Sequence, residues 1–182
     1  MRLFRRHYSA QEVGALLYEA LRAAIASQSG ALSLRLLLAQ FERRQEDLPV
    51  QHVGEIVIGA MFAASLAVER SVPQWMSGVI VGGMRAEFLS HLREQGASQD
   101  QVAEWQTVCN ERFGEFAREL ERYDGLEPPW KFGRRFLWDV VAAQEYRALS
   151  IKHATMFLLS ARDRAQELIN AYGPHISPIS PQ

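Results

Sequence analysis

The chain has 182 residues, 48% of them hydrophobic and 23% charged, and carries a formal net charge of −1. These values fit one ordinary globular domain with a substantial core and exclude disordered, collagen-like and disulfide-stapled classes. The near-neutral charge argues against a general polyanion binder, so no nucleic-acid partner is expected. The only cysteine, Cys109, rules out an internal disulfide and points to a reducing compartment.

Arg2, Arg5 and Arg6 give the start the basic look of a signal peptide. Gln11, Glu12, Glu19 and Arg22 interrupt the apolar stretch that would have to follow, so a cytoplasmic protein is expected. The first predicted helix covers residues 9–27, with Val13, Leu16, Leu17, Leu21 and Ile25 on one stripe. It opens with Ser9 and Glu12, the spacing at which a serine hydroxyl and an acid satisfy each other's backbone N–H groups. Gly30 ends it, and a leucine-rich helix over residues 31–46 follows (Leu34, Leu37, Leu38, Phe41).

The third helix begins after Pro49 and reaches about residue 70, and the fourth spans about 72–95 behind a Ser71/Gln74 capping pair. Both are apolar on nearly all sides, which marks them as a central hairpin. Small residues four apart (Ala60/Ala64, Ala63/Ala67, Gly78/Gly82) would let their backbones cross closely. Each of Gly78, Gly82 and Gly83 costs about 0.5–1 kcal/mol of helix stability relative to Ala. Close packing, a π-bulge or space for a ligand beside Trp75 and Met84 would offset that cost. Residues 56–68 carry no charge, but the run is shorter than the roughly 20 residues a membrane span needs, so a buried core helix is expected and membrane association is not.

The fifth helix, residues 98–123, opens on a Ser98/Gln101 capping pair. It places Val102, Trp105, Cys109, Phe113, Phe116, Leu120 and Tyr123 along one face, with Cys109 a small buried core residue rather than a nucleophile. A Pro-Pro loop over 126–130 leads to residues 131–172, which read as one long helix or as two with a break near Ser150. Gly173-Pro174 ends that segment, and the Ser/Pro-rich residues 176–182 read as a disordered tail. The expectation is a single all-α domain over residues 1–175: an irregular helical bundle of five to seven helices around the central apolar hairpin.

Charge is segregated by segment. Residues 98–127 hold eight acids against three arginines, and residues 128–170 hold seven bases against four acids. An acidic helix packed antiparallel to a basic one is the simpler account, and two faces for different partners the functional one.

No phosphate loop, Cys-x-x-Cys, His-Glu-x-x-His, Gly-x-Ser-x-Gly or Glu-x-x-His motif occurs, so enzyme status has no direct support. Three weaker constellations remain. If the hairpin turns near Ser71, Glu55 lies level with Glu87 and His52 with His91, and two imidazoles with two carboxylates could bind a divalent metal such as zinc, manganese or iron. Trp130, Lys131, Arg134 and Arg135 stand at a helix start, where unpaired N–H groups favour a phosphate or carboxylate. The competing and preferred arrangement has Trp130 and Phe132 stapling the chain to the core while the arginines meet the acidic helix. Tyr146, Ser150 and His153 share a helix face and could line a polar pocket, although a satisfied polar patch is commoner. The leading functional expectation is a non-catalytic helical protein that self-associates or docks on a protein partner. The alternative is a metal- or small-ligand-binding helical domain, or an enzyme, built on the His/Glu cluster.

Overall fold

A computed structural model describes residues 7–39, 50–122, 127–141 and 148–176. Among the described residues the chain is all-α, with seven helices and no strand. They are α1 (Ala10–Ala26), α2 (Leu34–Ala39), α3 (Val50–Ser71), α4 (Gln74–Glu94), α5 (Gln99–Glu121), α6 (Pro128–Val141) and α7 (Ala148–Tyr172), followed by a 3-10 turn at Gly173–His175.

Local chemistry sets most of the boundaries. Ser9 and Ser98 each cap their helix while Glu12 and Gln101 bond back to the cap N–H at 2.7 and 2.8 Å. Gly30 and Gly96 take positive φ, the left-handed conformation that turns a chain out of a helix. Two boundaries differ from the sequence reading. Ser71 does not cap α4; it is the last residue of α3, its hydroxyl donates to the Ala67 carbonyl at 2.7 Å, and Pro73 takes the cap position without a side-chain bond. Pro128 and Pro129 do not form a loop either; they are the first two residues of α6, where proline's fixed φ suits a helix start and its missing N–H is not needed. The long C-terminal segment is two helices. The proposed tail begins in contact with the fold, because Ile176 makes an isolated parallel bridge with Tyr8, and Tyr8 N–H donates to the His175 carbonyl at 3.0 Å. Residues 177–182 lie outside the described residues, as does the predicted extension of the second helix beyond Ala39.

α3 is the axis of the bundle. Ile56, Ile58, Ala60, Met61, Ala64 and Val68 are fully buried, and α1, α4, α5, α6 and α7 all pack on this helix. Phe62 anchors one side: its ring lies 5.0–5.4 Å from those of Phe113, Phe116 and Phe132, drawing α5 and α6 onto α3. Gly59 leaves room for the Phe136 ring, and Gly54 for that of Trp105. By length and composition Gln51–Ser71 could cross a membrane, so length alone does not separate the two readings of this segment. Two-thirds of its most apolar window is buried against neighbouring helices.

α4 follows α3 through a short corner at Val72-Pro73 and packs on it, but its most intimate partner is α1. There the two backbones touch. A Cβ on Gly83 would lie 2.5 Å from the Gln11 carbonyl oxygen, and one on Gly14 would collide with the Ile80 carbonyl and lie 2.7 Å from the Met84 nitrogen. Gly83 is thus explained by close approach, but to α1 rather than α3. Gly78 and Gly82, read from sequence as part of the α3–α4 crossing, point to solvent, with open space where a side chain would be.

Gly14→Ala and Gly83→Ala are each expected to lower the unfolding free energy by about 1–3 kcal/mol, because a methyl group must push two helix backbones apart. Gly114→Ala, whose methyl would meet only the mobile end of Arg118, is expected to raise it by about 0.5–1 kcal/mol. Urea unfolding followed by circular dichroism separates the two outcomes.

Candidate functional site

The four residues of the predicted metal cluster do not assemble. Glu55 accepts two hydrogen bonds from Arg112 of α5, at 3.1 and 3.0 Å. His91 lies on the α1 side, its ring 6.1 Å from that of Tyr18 and its Nε2 3.0 Å from Gln95. Glu87 also acts on Tyr18, whose hydroxyl is raised above its usual range by burial, against Arg22 and with help from Glu19, Glu87 and Glu94. His52 keeps a buried Nδ1 without a hydrogen-bond partner. Among the described residues no three His, Cys, Asp or Glu side chains stand close enough to hold a metal ion. The cause is the choice of helix partners: α5 supplies an arginine at Glu55, while the far end of α4 turns toward α1.

The basic residues at the start of α6 are engaged within the fold. Lys131 is buried, and its Nζ donates to the Arg122 carbonyl at the end of α5, as a cation at a helix C-terminus does. Arg134 pairs with Glu119 at 2.6 Å, and Arg135 with Glu115 at 2.9 Å. Glu115 also accepts from Arg112 at 2.7 Å, so Glu55, Arg112, Glu115 and Arg135 form one chain of alternating charge across α3, α5 and α6. Phe132 is buried in the aromatic cluster, and Trp130 remains 39% exposed. His153 is half-buried on α7; Tyr146 lies outside the described residues. These side chains knit acidic α5 to basic α6.

Cys109 is buried on the core face of α5, and burial pushes its thiol up to about 11 against the opposing charge of Arg85. A thiol in that setting is a packing residue.

The surface that stands out lies on α4. Trp75 is 58% and Val79 41% exposed, and Gly78, Gly82 and Ala86 are exposed beside them. At 100° per residue positions 75, 78, 79, 82 and 86 fall on one face; none of the five is charged, and Arg93 is exposed on the same side nearer the helix end. The opposite face carries Ile80, Met84 and Phe88 into the core, so Trp75 and Met84 cannot line a common pocket. The sequence marked Gly78 and Gly82 as a small-residue pair but assigned them to an internal crossing. The outward Trp75 and Val79 would have corrected that, had the buried partner been known to be α1. Compared with known protein families, with curated protein sequences and with solved structures, the chain matches none.

Burial alone would raise the Glu115 carboxyl, yet the hydrogen bonds from Arg112 and Arg135 hold it below the usual carboxylate range. A depressed native value stabilises the fold fully above the unfolded value of about 4.3, and that contribution is lost as the pH falls through the native one. Glu115→Gln is therefore expected to lower the urea midpoint near neutral pH, with the gap to the unmodified protein closing through the acid range. For Cys109, a rise of about two units leaves about a hundredfold less thiolate at neutral pH. Maleimide labelling is expected to be at least about that much slower in the folded protein than in denaturant.

Proposed function

We propose that this chain is a non-catalytic helical interaction protein that pairs with a second copy of itself through the outer face of α4. The observation that carries the reading is an exposed tryptophan placed seven residues before an exposed glycine, with uncharged Gly78, Val79 and Ala86 on the same helix face. Seven residues span about 10.5 Å and fall about 20° short of two full turns, so Trp75 and Gly82 project from nearly the same side.

Such a face is complementary to itself. In a closed pair the same patch meets its own copy, with residue i against j and j against i. If two α4 helices run antiparallel about an axis passing between Gly78 and Val79, each Trp75 comes over the other copy's Gly82, and each Val79 over the other's Gly78. Both glycines would then supply the space that the two large side chains require, and their cost in helix propensity gains a purpose. Leu16 of α1, the helix beside α4, is 37% exposed and adds apolar surface to the same molecule. A single apolar Trp at the centre of a contact is the type of side chain that dominates binding energy. The lone buried thiol fits a reducing environment, and on this reading the protein works in the cytoplasm.

Sedimentation velocity and native mass spectrometry test the pairing. The unmodified chain is expected to be a dimer at high concentration. Trp75→Gly removes the knob and is expected to weaken association by about thirtyfold or more. Gly82→Trp sets two knobs against each other and is expected to abolish it. The double variant Trp75→Gly/Gly82→Trp exchanges knob and hole and is expected to recover most of the association. A strict monomer, or a double variant no better than either single one, overturns the reading.

A further inference from the structure

We draw no further inference here: the strongest candidate, the polar groove between the end of α1 and α7 lined by Ser27, Ser29, Ser160, Asp163, Arg164 and Glu167, holds its two carboxylates paired with Arg162 and Arg164, so nothing in the structure fixes what it would bind.

Discussion

Everything in this fold is arranged around a helix that has almost no outside. From Ile56 to Val68, α3 presents Ile, Val, Met and Phe in some directions and Gly or Ala in others, and nearly all of these positions are buried. A helix buried all round needs neighbours on every side, and each must bring apolar surface of matching relief. The large side chains reach outward, as Phe62 does into the Phe113, Phe116 and Phe132 rings. The small ones admit rings from outside, as Gly59 admits Phe136. Dense packing of this kind makes single core changes costly and fixes the positions of α5, α6 and α7 together.

Electrostatics then selects the pairing that hydrophobic burial alone leaves open. Apolar faces are non-directional, but Arg112 bridging Glu55 and Glu115, Arg135 on Glu115 and Arg134 on Glu119 require one register of α5 against α3 and α6. Exposed pairs of this type contribute only about 0–1 kcal/mol each, whereas partly buried and shared ones penalise the wrong register by leaving charges unpaired. Part of the segregation of acids and bases along the chain is thus resolved within the molecule, where Arg134 and Arg135 of α6 meet Glu119 and Glu115 of α5.

The surface proposed for self-pairing carries no charge at Trp75, Gly78, Val79, Gly82 or Ala86. α4 uses its inner face twice, against α3 and, at closer range, against α1, where Gly14 and Gly83 let the backbones touch. Its outer face retains a tryptophan, a valine and two glycines whose missing side chains meet nothing. On the proposed self-pairing, the helix propensity cost of these exposed glycines would be offset by a contact with another molecule.

Helix number, most helix limits and the all-α class were legible in the sequence because they depend on local matters. Serine caps answered by Glu12 and Gln101, glycines at Gly30 and Gly96, and the apolar periodicity of α5 act within a few residues. Ser71 escaped that logic because its hydroxyl bonds backward into α3, and Pro128-Pro129 because proline suits a helix start as well as a loop. The charge pattern foretold that acids and bases would meet but not which residues. Which helix lies against which was decided only in three dimensions. An apolar stripe records that a face is buried and says nothing of its partner, so α4 could be assigned to α3 when its closest contact is α1. That one exchange dispersed Glu55, Glu87, His52 and His91, and turned Gly78 and Gly82 from an internal crossing into an exposed face.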